Sequence, residues 1–219
     1  MPDLNFEVEG AAPIPFAVAP QLNFQLRITD SAGAEALLIP AVALRCQVRI
    51  EPTRRRYGPA EQERLLDLFG EPSRWGQTLR SMLWTHTSLI VSPFTGQTVV
   101  DLPVPCTYDF NVAATKYFYA LENGEVALTL LFSGTIFYAE DESGALQVSP
   151  ISWEKEASYR LPVQVWKEMM DLYYPNSAWL CLRQDVFDQL YLYKSRLGLP
   201  TWEQAMERLL DASGERVEP

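Results

Sequence analysis

One histidine, His86, is all the imidazole that this 219-residue chain carries, and that scarcity removes much of the chemistry proteins build on the side chain. A multi-histidine metal site is excluded, and any histidine-based triad or acid–base pair has to use this one residue. Cysteine is nearly as sparse: Cys46, Cys106 and Cys181 stand far apart without C-x-x-C spacing. That spacing suggests neither a disulfide framework nor a zinc knuckle, and the reading is of buried thiols in a reducing compartment. Basic residues are in deficit, 18 against 28 acidic, for a net charge of −10. A field of that sign repels nucleic acid and anionic membrane at long range. No apolar run approaches the roughly 20 residues of a membrane span, and the N-terminal MPDLNFEVEG has neither a basic nor an apolar leader region. A cytoplasmic protein is expected. Phosphate loops, nucleophile elbows, H-E-x-x-H, EF-hand loops and dinucleotide fingerprints are all missing, so no cofactor is expected either.

Apolar side chains, in contrast, are plentiful at 47% of the sequence, enough to fill a genuine core. The most conspicuous stretch runs from Thr107 to Tyr138, where two aromatic and aliphatic runs flank Asn123-Gly124. That dipeptide accepts the positive φ angles of a tight turn, so the spacing predicts a β-hairpin. In the register set by that turn Leu121 faces Val126, Tyr119 faces Leu128, Tyr117 faces Leu130, Phe118 faces Thr129 and Phe110 faces Phe137. Gly134 stands where a bulge or bend would move burial to the other face.

Period-two alternation marks further strands: Leu4 to Glu9, Leu22 to Thr29, Val42 to Ile50 with Cys46 on the core face, Thr78 to Val91, Thr98 to Leu102 and Leu146 to Trp153. In the fourth of these, Met82, Trp84, His86, Ser88 and Ile90 are expected on one face. The segment between the first two, with Pro13, Pro15 and Pro20, reads as an extended crossing between sheets. The end of the second strand is marked by Asp30, Ser31 and Gly33. Gly58, Pro59, Glu61 and Gly70 delimit an inserted helix of about three turns near residues 59–69, with Leu65, Leu66 and Phe69 on its apolar side. After Glu140, Asp141 and Glu142, an acidic loop, helical spacing takes over. Val163, Trp166, Met170 and Tyr173 line one helix, Asp185 opens a second with Val186, Leu190 and Tyr193, and Thr201 with Gln204 caps a third bearing Trp202, Met206, Leu209 and Leu210.

The fold class expected is α+β: an antiparallel β-sandwich of about eight strands over residues 1–155, one inserted helix, and a C-terminal helical segment of about three helices over 156–219 packed on it as one cooperative unit.

Few residues are candidates for chemistry. Arg54, Arg55 and Arg56, followed by Tyr57, are suited to gripping carboxylates or phosphate by bidentate hydrogen bonds, with Arg74, Trp75 and Arg80 extending the patch. A solvated loop, or pairing with nearby Glu61, Glu63 and Asp67, is the plain alternative. Glu140, Asp141 and Glu142 read as solvated rather than as a calcium loop. Asp101 and Asp109 bracket Cys106, but no basic group stands near it in sequence, so a structural thiol is expected. His86 beside Trp84 on a strand reads as a packing or hydrogen-bonding residue. The tail aromatics Trp166, Tyr173, Tyr174, Trp179, Tyr191, Tyr193 and Trp202 fill a core unless some stay exposed as an interface.

Three segments carry a resemblance: ALRCQVRIEPTRRRYGPAEQERLLDLFGEPSRWGQTLRSMLWT, then VPCTYDFNVAATKYFYAL with GEVALTLLFSGTIFY, and the tail from PVQVWKEMMDLYYP to PTWEQAMERLL. The whole chain resembles an uncharacterised bacterial family of the actinobacterial type, often encoded beside nickel–iron uptake hydrogenases of the high-affinity type. The resemblance implies an accessory or assembly factor. It supplies no catalytic residues, and a lone histidine with scattered cysteines does not suit nickel delivery. The leading reading is a non-enzymatic protein that binds a protein partner, a hydrogenase subunit or maturation intermediate, with homo-oligomerisation left open. One alternative is a small-ligand-binding protein or enzyme using His86 with the Arg54–Arg56 region. The other is a holding chaperone of the SecB type, suggested by strands followed by an amphipathic helix.

Overall fold

Alternating apolar positions become strands because, at a repeat of two, they give each segment one dry face. The computed structural model describes residues 1–31, 37–106, 112–139, 145–177, 180 and 182–214. Its strands are β1 (Leu4–Pro13), β2 (Gln21–Asp30), β3 (Leu38–Ile39), β4 (Ala41–Ile50), β5 (Met82–Val91), β6 (Phe94–Thr95), β7 (Gln97–Pro105), β8 (Glu125–Ala139), β9 (Leu146–Pro150) and β10 (Glu156–Pro162). The described pairings are antiparallel. They give a three-stranded sheet ordered β1-β2-β7, a larger sheet ordered β10-β8-β4-β5 with β9 also on β8, and the small pair β3-β6. In β2 and β4 every second side chain is buried, from Leu22 to Ile28 and from Val42 to Ile50. The two sheets meet through these faces. Phe6 of β1 stacks on Phe132 of β8 at 4.2 Å between ring centroids, and Phe24 of β2 reaches Trp84 and Tyr159 of the larger sheet at 6.4 and 5.7 Å. The protein is thus α+β, built on an antiparallel sandwich.

The helices are α1 (Pro59–Arg64), α2 (Leu66–Phe69), α3 (Trp75–Thr78), α4 (Val112–Ala120), α5 (Val163–Tyr173), α6 (Gln184–Arg196) and α7 (Trp202–Ser213). Packing divides the chain into two units, Met1–Ser177 and Ala178–Pro219. The first contains the sheets and α1 to α5. There α5 buries Val163, Trp166 and Met169, and Trp166 lies parallel to Phe118 of α4 at 5.2 Å. In the second unit Thr201 caps α7 by accepting from the Gln204 amide, and Phe187 and Tyr191 of α6 meet Trp202 at 5.3 and 6.3 Å.

The hairpin expected around Asn123-Gly124 does not form. Its first arm is the helix α4, and only its second arm is a strand, β8. The reason lies in spacing: Ala114, Tyr117, Phe118 and Leu121, which are buried, recur at i, i+3, i+4 and i+7, whereas Tyr119 between them is 63% exposed. A strand would put Tyr117, Tyr119 and Leu121 together on one side, and exposure of Tyr119 between buried Tyr117 and Leu121 rules that out. The partner of β8 along Glu125–Leu131 is β10, a strand the sequence reading missed. Its buried apolar positions are only two, small Ala157 and Leu161, with half-buried Tyr159 between them.

Smaller corrections have similar causes. The inserted helix breaks into α1 and α2 at Leu65, whose φ of −91° and ψ of −1° interrupt the turn. Residues from Trp75 to Thr78 are helical, so the strand expected from Thr78 starts at Met82. A register shift opposite Val48 and Arg49 places a bulge at Trp84. Trp84 is buried, but His86, Ser88 and Ile90 then point outward, away from the face they were expected to share with it. Burial does not change sides at Gly134: Val126, Leu128, Leu130, Phe132, Ile136 and Tyr138, all of one parity, are buried on both sides of it. The glycine instead admits the carbonyl of Ala43, which would lie 2.0 Å from an added Cβ. On α7, Leu210 is exposed, and only Ala205 is fully buried. Gly33, Asp109, Phe110, the acidic loop Glu140 to Glu142, Trp179 and Cys181 lie outside the described residues. No described helix is long and apolar enough to cross a membrane.

Candidate functional site

The arginine triplet follows β4 directly, where a short 3₁₀ turn, Pro52–Arg54, ends in extended backbone at Arg55. Extension matters because it sends alternate side chains to opposite sides. Arg55 turns inward. Its Nη2 pairs with Glu61 Oε1 at 2.5 Å, the two side chains being only 9% and 6% exposed. Its Nη1 donates to the Glu125 carbonyl at 3.1 Å, and the guanidinium stands 5.8 Å from the Tyr57 ring centroid. Glu61 is itself held on three sides. Besides Arg55 it accepts from the Gly58 amide that starts α1, at 3.2 Å, and from the Glu122 amide after α4, at 2.9 Å. Charges removed from water need this many partners, because attraction within the pair alone does not offset their desolvation.

Tyr57 turns inward on the same side. Its hydroxyl donates to the Pro52 carbonyl at 2.7 Å and so accepts from the Tyr117 hydroxyl at 2.8 Å. Burial pushes the Tyr57 hydroxyl up to about 12 and raises that of Tyr117 further, so both are neutral hydrogen-bonding groups rather than bases. Trp75 completes the frame. Its indole donates to the Gly70 carbonyl at 2.8 Å, and its ring meets Tyr57 edge-on at 5.2 Å. Of the residues singled out by sequence, Arg55, Tyr57 and Trp75 therefore build the support, and Arg55 is not part of an exposed patch.

Arg54, Arg56, Arg74 and Arg80 are exposed. Two contacts between distant segments bring them to one end of the sandwich. Arg56 and Arg74 directly precede Tyr57 and Trp75, whose rings touch. Arg54 closes the turn that begins at Glu51, and Arg80 precedes Ser81, whose hydroxyl donates to Glu51 at 2.8 Å. Among the described residues none of these arginines joins an ion pair. The result is a set of open guanidiniums on a frame fixed from beneath. Pairing with Glu61, the plain alternative for the triplet, holds for Arg55, and Glu61 also reaches back to the cap amide of Gly58, three residues before it.

The other candidates sit apart from this arrangement. His86 lies on the exposed face of β5, its Nε2 3.2 Å from Gln47 Nε2. Cys46 and Cys106 are buried, and burial pushes both thiols up to about 12, far from a reactive thiolate. No group of three metal-ligating side chains occurs among the described residues. An open cleft of about 420 Å³ between the β1 and β10 edges is lined by Asn5, Glu7, Arg27 and Glu156 among others. A second, of about 330 Å³, runs along α6 at Leu192, Tyr193 and Arg196. Neither is lined by His86 or by the Arg54–Arg56 segment.

Comparison with known proteins adds little chemistry. No curated protein matches the sequence. Among solved structures, the CARDB domain of the PF1109 protein from Pyrococcus furiosus, determined in complex with di-metal ions, is 12% identical, covering 73% of this chain and 86% of that one with a TM-score of 0.28. A β-glucosidase from Kluyveromyces marxianus is 10% identical, covering 73% of this chain and 15% of that one with a TM-score of 0.27. At these scores neither likeness bears on what the chain does. A model of a family of unknown function, DUF6084, matches residues 1–218.

Proposed function

We propose that this chain, which belongs to the DUF6084 family of unknown function, is a non-enzymatic accessory protein that captures a protein partner through Arg54, Arg56, Arg74 and Arg80. The observation that carries the reading is their exposure, without ion-pair partners among the described residues, on a frame locked by the buried Arg55–Glu61 pair. Guanidinium forks take carboxylates in a bidentate manner, and a base held still loses less freedom on binding. The partner is expected to present an acidic surface. The resemblance to proteins encoded beside nickel–iron hydrogenases makes a hydrogenase subunit or maturation intermediate, in the cytoplasm, the partner to test first.

The test replaces Arg54, Arg56, Arg74 and Arg80 with glutamate and leaves Arg55 intact. Co-purification with hydrogenase components at natural expression level is expected to be lost, while the melting temperature changes by no more than about 2 °C. Unchanged capture sinks the assignment. One further observation favours a holding chaperone as a second reading. The outer face of the larger sheet leaves Ile90, Leu146 and Val148 respectively 70%, 58% and 60% exposed, and pairing through Ala43, Thr135 and Phe137 puts them on one side. Suppression of aggregation of a heat-unfolded model enzyme, abolished by Ile90→Lys, is the outcome that reading requires.

A further inference from the structure

From Gly10 to Pro20 the chain reads GAAPIPFAVAP and carries no charged or hydrogen-bonding side chain. It connects β1 to β2, and at its tip Phe16 and Val18 are fully exposed, at 99% and 108% of their reference surfaces. Single apolar side chains scattered on a surface need no explanation, but this pair differs in two respects. Phe16 has a φ of +61°, a left-handed conformation that a bulky side chain adopts at a cost. The loop is also clamped from outside itself. The Tyr173 hydroxyl of α5 accepts from the Ala17 amide at 2.8 Å and donates to the Ile14 carbonyl at 2.6 Å, bridging the residues on either side of Pro15 and Phe16. The Ile14 amide, bonded to the Gln21 carbonyl at 3.0 Å, closes the loop at its base.

Strain held in place by distant hydrogen bonds, at a position whose side chain touches nothing, is characteristic of groups arranged for a ligand. We infer that Phe16 and Val18 form a rigid apolar knob that inserts into a hydrophobic pocket on a protein partner. The knob is convex, so its counterpart is concave, and its lack of polar groups calls for a dry site. A lipid surface fits less well. The chain carries a net charge of −10, and the loop has no Lys or Arg to hold it at anionic headgroups. Pre-ordering by three prolines and the Tyr173 clamp leaves little entropy to lose on docking, as expected of a binding anchor. The inference rests on the reading of the chain as a protein-binding factor, but it uses a different surface from the arginines.

The experiment introduces the photo-crosslinking residue p-benzoylphenylalanine at position 16, at position 18 and, as control, at exposed Glu7, in the full chain expressed in its host. One protein is expected to be trapped from both loop positions and not from position 7. That protein, purified, is expected to bind Phe16→Asp roughly 30-fold more weakly than wild type. Phe16→Gly separates binding from folding: it relieves the left-handed strain, so the melting temperature is expected to rise by about 2 °C while binding falls as for Phe16→Asp. Several results overturn the inference: adducts identical at positions 16 and 7, adducts only within the chain or to a second copy, equal affinity of Phe16→Asp, or flotation of wild type with phosphatidylcholine–phosphatidylglycerol vesicles that Phe16→Asp abolishes. Loss of capture by the four-arginine variant with Phe16→Asp unaffected overturns the knob alone and leaves the proposed function standing.

Discussion

Arg55→Ala removes a guanidinium that makes one ion pair, one hydrogen bond to the Glu125 carbonyl and one contact with the Tyr57 ring, all in a site 9% exposed. Breaking a buried pair by deleting one partner costs about 3–5 kcal/mol, because the remaining charge stays out of water. Here Glu61 keeps the amides of Gly58 and Glu122 as donors, which places the expected loss near the lower end, at about 3 kcal/mol. At about 2–4 °C per kcal/mol for a chain of this size, the melting temperature is expected to fall by about 6–12 °C. Urea denaturation followed by tryptophan fluorescence measures the same loss directly. Arg56→Ala, one residue along and exposed, is the internal control and is expected to stay within about 0.5 kcal/mol of wild type. A double-mutant cycle with Glu61→Ala is expected to return a coupling above about 1 kcal/mol. If Arg55→Ala and Arg56→Ala cost the same, the assignment of Arg55 to the frame is wrong, and with it the division of the triplet into support and surface.

Gly134→Ala would place a Cβ 2.0 Å from the Ala43 carbonyl oxygen, at a φ of +143°, so β4 and β8 would have to separate there. A loss above about 3 kcal/mol or insoluble expression is expected, and a normal urea midpoint refutes the close approach. The raised values of Cys46, Cys106 and Tyr57, all about 12, favour the protonated native form. The stability they contribute is therefore whole below the unfolded values, about 8.5 for thiols and about 10 for tyrosine, and is lost as pH rises toward 12. The urea midpoint is expected to fall over that window, and a flat profile between pH 8.5 and 11 contradicts it. In a Cys181→Ser variant at pH 8, Ellman's reagent is expected to leave the native protein unmodified and to react with both remaining thiols once urea unfolds it.

The strands that were legible are those with one wet face. In β2 and β4, polar side chains such as Asn23, Gln25, Arg45 and Gln47 alternate with apolar ones, and the repeat of two is unambiguous. Legibility failed where no polar residue marks the period. In KYFYAL, every residue after Lys116 is apolar or aromatic, and aromatic composition with a following Asn-Gly favours a strand on propensity alone. The deciding information is tertiary: Tyr117 and Phe118 are both buried, one against Tyr57 and Phe69, the other between Trp84 and Trp166, while Tyr119 is left exposed, the i, i+3, i+4 pattern of a helix. β10 was missed for the opposite reason, since it is mostly polar and half-exposed and owes its pairing to β8 rather than to its own pattern.

The arginine triplet was read as one patch because a run of like charges has no internal pattern. The backbone supplies one. With Arg55 extended at φ −132° and ψ 152°, Arg55 and Tyr57 share a side, and Arg54 and Arg56 share the other. Which side faces in is settled outside the triplet, by nearby Glu61 on α1 and by the distant Glu122–Glu125 turn that supplies the amide and carbonyl around the pair. Two roles are thus interleaved in consecutive residues. Arg55 fixes the loop, and the loop, once fixed, leaves Arg54 and Arg56 exposed. It follows that lysine at position 56 preserves charge for a long-range encounter but weakens a bidentate grip, whereas lysine at position 55 loses the simultaneous reach to Glu61 and to the Glu125 carbonyl and unsettles the fold. The same conservative change, one residue apart, is therefore expected to alter binding in one case and stability in the other.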